Sequence, residues 1–192
     1  MRQLVKLMII YILLSPTLVL SQPEYQNIKE LAEQGHDEAQ FLLGSAYDFA
    51  LLGVQQNHVE AERWYRSSAE QGHDEAQFSL GNMYVSGRGV QQDHIEAAKW
   101  FRLASEQGNV EAQSKLGIMY ILGTGIPQNA IMAYIWLSLA ATQGSETSRV
   151  NRDLVSIQLT PEQLARAQDI ASKCFESEYK NCIQLHEQGS DY

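Results

Sequence analysis

Basic charge is scarce in this chain. Lys and Arg number 14 against 23 Asp and Glu, a formal net charge of −9 over 192 residues. With no basic cluster to neutralise phosphates, nucleic-acid binding is excluded, and so acidic a body is repelled by an anionic membrane surface. Cysteine is scarcer still, with only Cys174 and Cys182. The apolar stretch from Leu7 to Leu20, broken by Ser15 and Pro16, is about 14 residues long, short of the roughly 20 that a membrane-spanning helix needs.

That stretch reads as a leader, residues 1–21. Arg2 and Lys6 give it a positive start, and Val19 and Ser21 satisfy the small-residue rule for cleavage. The remaining chain begins at Gln22; all 23 acidic residues and 12 of the 14 basic ones follow Ser21, leaving a net charge of −11. An uncleaved N-terminal anchor is the alternative. Export places the two cysteines in an oxidising compartment, where they are expected to pair. Eight positions along one helix span about 12 Å, whereas a disulfide needs Cα atoms within roughly 7 Å. Pairing therefore requires the helix to end between them, near Ser177; two separate thiols are the other reading.

The dominant feature is self-similarity. Glu33-Gln34-Gly35-His36-Asp37-Glu38-Ala39-Gln40-Phe41 returns as Glu70-Gln71-Gly72-His73-Asp74-Glu75-Ala76-Gln77-Phe78, with weaker copies from Gln107 and Gln143. Trp64, Trp100 and Trp136 fall 36 residues apart. Each unit reads as two helices. In the first, Ala39, Leu43 and Tyr47 recur as Ala76, Leu80 and Tyr84, then as Ala112, Leu116 and Tyr120, a spacing of four that makes one apolar face. Gly44, Gly81 and Gly117 recur in mid-helix, where glycine costs about 1 kcal/mol, so a neighbouring helix is expected to approach closely there. In the second helix Ala61, Trp64 and Tyr65 recur as Ala97, Trp100 and Phe101. Asn57 with Glu60, and Asp93 with Glu96, have the spacing of capping boxes. The connecting Gly87-Arg88-Gly89 and Gly123-Thr124-Gly125 suit left-handed backbone; a phosphate cradle would need a lysine at P-loop spacing, and none is there.

Leu-Gly-x-x-Tyr, a Gly-x-Gly loop, Ala-x-x-Trp-Tyr/Phe and a closing Gln-Gly together resemble the Sel1-like repeat, a relative of the tetratricopeptide repeat. The resemblance implies an all-α fold, a right-handed α-solenoid of antiparallel helix pairs, serving as a scaffold for protein–protein contacts. Such proteins are often exported from bacteria, and some modulate envelope enzymes or host proteins. Cysteine-rich relatives are associated with β-lactam binding or hydrolysis, but they carry a cysteine pair in each repeat, and no repeat here has one. The expected division is a half repeat over 22–34, repeats over 35–71, 72–107 and 108–143, and a C-terminal helical cap over 144–192. In that cap Thr160-Pro161-Glu162-Gln163 is a well-formed helix start.

Chemistry is hard to find. His36 and His73 share a register, as do His58 and His94, so stacking spreads them along the solenoid instead of converging them on an ion. The carboxylates follow the repeat as helix caps and solvated faces. No catalytic residue, cofactor or metal site is indicated. The expected partner is a protein or peptide, held on the side lined by first helices, as in tetratricopeptide grooves. Two registers there change from unit to unit: Leu42, Ser79 and Lys115, and Ser45, Asn82 and Ile118. They form either a specific surface or indifferent solvent contacts. The invariant Gln40, Gln77 and Gln113 either bridge a ligand or link neighbouring repeats. The first unit has one extra loop residue, expected to prolong the helix and to tuck Phe49, Leu51 and Leu52 against the N-terminal half repeat; an exposed apolar partner contact is the alternative. The segment Ile131 to Ala141 is apolar on nearly every side, so a cover is needed, and the helix from Pro161 to Cys174 is the expected lid.

Overall fold

A computed structural model of the chain describes residues 16–179, 182 and 184; residues 1–15 of the expected leader, and the rest of the tail, lie outside the described residues. All regular structure among the described residues is helical: α1 (Pro16–Glu33), α2 (Asp37–Phe49), α3 (His58–Ala69), α4 (Asp74–Ser86), α5 (His94–Ser105), α6 (Val110–Leu122), α7 (Ala130–Thr142), α8 (Glu146–Ser156) and α9 (Pro161–Glu176). Three pairs, α2 with α3, α4 with α5 and α6 with α7, stack in sequence into an α-solenoid, each second helix also packing on the first helix of the next pair. The stack begins with α1, docked on α2 through Tyr25, Ile28 and Ala32. A hydrogen bond of 3.0 Å joins the Tyr25 and Tyr47 hydroxyls and pushes the Tyr47 hydroxyl up to about 12.

Each pair depends on a mid-helix glycine. A Cβ on Gly44 would lie 2.7 Å from the Tyr65 ring, one on Gly81 2.6 Å from the Phe101 ring, and one on Gly117 2.7 Å from Leu137. Tyr65, Phe101 and Leu137 are buried, so two rings and a leucine press onto bare backbone. The second loop glycines perform another close approach: Gly89 lies on the His58 carbonyl oxygen and Gly125 on that of His94, where a Cβ would collide.

The N-caps form as expected, with Asn57 accepting from Val59 and Glu60 and Asp93 from Ile95 and Glu96. The caps are one-sided, however. Glu60 turns to Arg63 and Glu96 to Lys99, both at 2.8 Å, because a cation three residues on competes for the carboxylate. A reciprocal capping box does close at Thr160 and Gln163.

The first-unit loop departs from expectation. Its extra residue does not prolong the helix, since α2, α4 and α6 each have 13 residues. Ala50 (φ 55°) takes the left-handed cap that Gly87 and Gly123 take elsewhere, and Leu52 (φ 54°) is left-handed as well. Phe49 and Leu51 are consequently turned to solvent, 59% and 50% exposed, instead of tucked against α1.

After Gly144 the structure contains a helix the sequence did not suggest. α8 packs on α7 as α4 does on α3. Its N-cap, Ser145, accepts from Ser148 as Asn109 accepts from Ala112. It is a first helix without the aromatic second helix that normally follows. α9 lies on α7 instead, and Ala167, Ile170 and Ala171 join Ile135 and Leu139 in one core, with Leu164 packed against it. This is the lid expected over the apolar helix. α9 ends at Glu176, and the chain returns through left-handed Glu178 and Tyr179 to a Cys174–Cys182 disulfide with Cα atoms 5.1 Å apart.

Gly81→Ala should destabilise the fold by about 1–3 kcal/mol, the overpacking term exceeding the helix-propensity gain. The penalty should vanish in a Phe101→Ala background, as checked by denaturant unfolding of all four variants. Truncation after Gly144 should expose Ile135 and Leu139; sedimentation should show aggregation, and the thermal midpoint should fall below that of the full chain.

Candidate protein-binding groove

The invariant glutamines face inward. Gln40, Gln77 and Gln113 are buried, and their Nε2 atoms donate to the carbonyls of Ala32, Ala69 and Ser105 at 3.2, 3.0 and 3.2 Å. Their Oε1 atoms accept from Gln71, Gln107 and Gln143 at 2.7, 2.8 and 2.9 Å. This ladder ties each first helix to the end of the second helix before it and to that of its own repeat, so the glutamines link repeats and offer nothing to a ligand.

The variable positions separate into two kinds. The Tyr65 hydroxyl donates to Ser45 Oγ at 3.2 Å and also interacts with Ser79, while burial is the main cause raising its pKa. Both serines therefore serve the Tyr65 hydroxyl, which the later units lack because Phe101 and Leu137 replace it. Asn82 is half-buried on α4, and Leu42 is exposed on α2. Lys115 and Ile118, in contrast, meet at a groove of 510 Å³ between α4, α6 and the start of α8. Phe78 and Val110 add apolar wall, and Ser114 and Thr147 add hydroxyls. Lys115 is exposed, and no carboxylate pairs with it among the described residues. Glu111 stands at the edge. The groove thus offers apolar side chains with one available cation. Its far wall was not legible in sequence because α8 was not; the one available signal was Ser148 in the register of Ala112, whose Oγ donates to Ser114 Oγ at 2.9 Å.

His36, His58, His73 and His94 occupy helix starts. His73 stacks on Phe41 with ring centroids 4.8 Å apart, and its Nε2 lies 2.9 Å from Glu38. His73, Asp74 and Glu75 form a group whose ligand atoms lie within 4.8 Å of one another. His73 Nδ1 is already the helix cap, accepting from Ala76, so the group is organised as a helix start. Burial would raise Asp74, but Asn109 donates to it at 3.0 Å and it is held low; sharing a hydrogen bond with it raises Glu75. Asp48 was overlooked in the sequence. It is a buried carboxylate, 2.8 Å from His58 Nδ1 and 3.7 Å from Arg88, in the register where the other units have Val85 and Ile121. That mismatch was its only signal.

A stack of helix pairs locked by glycine–side-chain contacts and a glutamine ladder defines a helical-repeat scaffold. Residues 37–73, 74–109 and 110–145 each match the model of the Sel1 repeat, and the chain belongs to the Sel1 repeat family, whose repeats build a protein-interaction scaffold. Among solved structures, it is similar to a Sel1 repeat protein from Oxalobacter formigenes, at 36% identity and a TM-score of 0.63, over 68% of this chain and 97% of that one. It is also similar to a protective antigen present in uropathogenic Escherichia coli strains that displays an SLR fold, at 27% identity and a TM-score of 0.60. That match covers 88% of this chain, which spans 44% of the antigen. No curated protein matches the chain. No helix among the described residues is long and apolar enough to cross a membrane.

Ser45→Ala should cost about 1 kcal/mol by removing one of the two serine partners of the Tyr65 hydroxyl, whereas Leu42→Ser should stay within about 0.5 kcal/mol of the parent. Thermal unfolding of the two variants separates framework from surface.

Proposed function

We propose that this protein is an exported, non-catalytic scaffold of the periplasm or extracellular space that binds a protein or peptide in the groove at Phe78, Lys115 and Ile118. The observation that carries this reading is the groove itself: changeable side chains gathered at a concavity while the invariant glutamines beside it are spent on holding repeats together. The carboxylates support a non-catalytic role, since they cap helices or pair with nearby cations. Export is supported by the charged and apolar start, by the disulfide, and by Pro23, which stands within α1. If cleavage leaves Gln22 first, Pro23 falls in the first turn of the remaining helix, where proline is tolerated.

Two destinations fit this scaffold, another envelope protein such as a cell-wall enzyme, or a host protein. The similarity to an antigen of uropathogenic strains favours the host-facing one. Exposed Phe49 and Leu51 at the first-unit loop supply a second apolar contact for a large partner.

Pull-down with the mature chain from envelope extract and from host lysate tests this reading. Lys115→Glu and Ile118→Asp should each weaken capture of the recovered partner at least about tenfold, roughly 1.4 kcal/mol, with no change in thermal midpoint. Capture that survives both substitutions moves the site away from the groove.

A further inference from the structure

The lid helix creates a second concavity, which shares no lining residue with the groove at Lys115. Between α7, α8 and α9 lies a cleft of 300 Å³, at the small end of the roughly 300–1,000 Å³ typical of ligand sites. Earlier repeats have no counterpart. In register with Tyr134 and Ser138 they carry Glu62 and Arg66, then Ala98 and Arg102, and no helix lies over them.

The cleft has the composition of a small-molecule site, mostly apolar with a few convergent polar groups. Leu139 and Ala171 form its base, and the rings of Tyr134 and Phe175 line it. Tyr134 and Ser138 are each only 8% exposed. Gln168 donates to the Tyr134 hydroxyl at 3.4 Å, whereas Ser138 Oγ is buried with no hydrogen-bond partner. A buried hydroxyl left unsatisfied is a cost that a bound acceptor removes. Arg152 supplies the cation. Its Nε and Nη2 hold Asp153 Oδ1 at 3.0 and 2.6 Å, and the side chain lines the cleft. Phe175, half-exposed, leaves apolar surface at the mouth.

We infer that this cleft binds a small amphipathic carboxylic acid. Its carboxylate meets Arg152, its aromatic or aliphatic body covers Leu139, Ala171 and Phe175, and the hydroxyls of Tyr134 and Ser138 orient it. The chain as a whole is acidic, so an anion is held only by the local pairing with Arg152 and by apolar burial. Recognition therefore requires both halves of the ligand. The site is separate from the protein-binding groove and stands whether or not that groove is used.

The test is calorimetric and NMR titration of the full, disulfide-bonded chain with 4-phenylbutyrate and, in parallel, with its neutral amide. One saturable site is expected, with amide shifts confined to α7, α8 and α9. Arg152→Gln should weaken the acid at least about tenfold, the scale of one charge-assisted contact, and leave the amide unchanged. Ser172→Trp, at the exposed rim, should block both probes. Lys115→Glu should alter neither, which keeps this result independent of the groove. Circular dichroism melts confirm that each variant is folded. Absence of saturable binding at millimolar probe, equal affinity for acid and amide, or insensitivity to both Arg152→Gln and Ser172→Trp would overturn the proposal.

Discussion

Every repeat of this solenoid is organised around one close approach, a first-helix glycine accepting the face of a second-helix side chain. Glycine in a helix is unfavourable by about 1 kcal/mol, and the chain accepts that cost at Gly44, Gly81 and Gly117. What it obtains is backbone proximity: Tyr65, Phe101 and Leu137 lie where any Cβ would stand, and they are buried. The helix spacing set there dictates where the next repeat can begin. The glutamine ladder then fits that spacing, because Gln71, Gln107 and Gln143 reach the preceding first helix only if the pair is that tight.

A frame so heavily specified leaves a small set of side chains free to differ, and the differences have consequences of two kinds. Some are internal. Tyr65 carries a hydroxyl that Phe101 lacks, and Ser45 and Ser79 answer to it. Asp48 replaces an apolar residue, and His58 and Arg88 answer to that. At the following junction Val85 stands in place of Asp48, and His94 Nδ1 is buried without a partner. Others face outward, and Lys115 and Ile118 are the pair that a groove collects.

The ends of the stack obey a different rule, since a terminal repeat must hide the face its neighbour would have covered. α1 does this at the start, in the manner of a second helix without its first. At the far end α8 is a first helix without its second. Val150 and Leu154 remain exposed along it, and Ile157 at its C-cap. α9 bypasses α8 to lie on α7, and the disulfide secures the turn after it.

The repeat, its two-helix unit, the glycine contacts and the lid over Ile131–Ala141 were all legible in the sequence. Each rests on periodicity, and periodicity reports which face of a helix is buried. α8 was not legible, because Glu146-Thr147-Ser148-Arg149 shares little with the other first helices and is placed by stacking on α7. The first-unit loop was misread because backbone conformation, not hydrophobicity, decided it: Ala50 assumes a left-handed cap and turns Phe49 and Leu51 outward. The partners of Asp48 and the union of Lys115 with Phe78 and Thr147 join residues from different repeats. Sequence by itself determined what each repeat is; only tertiary structure decided what the repeats make between them, since spacing along one helix carries no information about the side chains of the next.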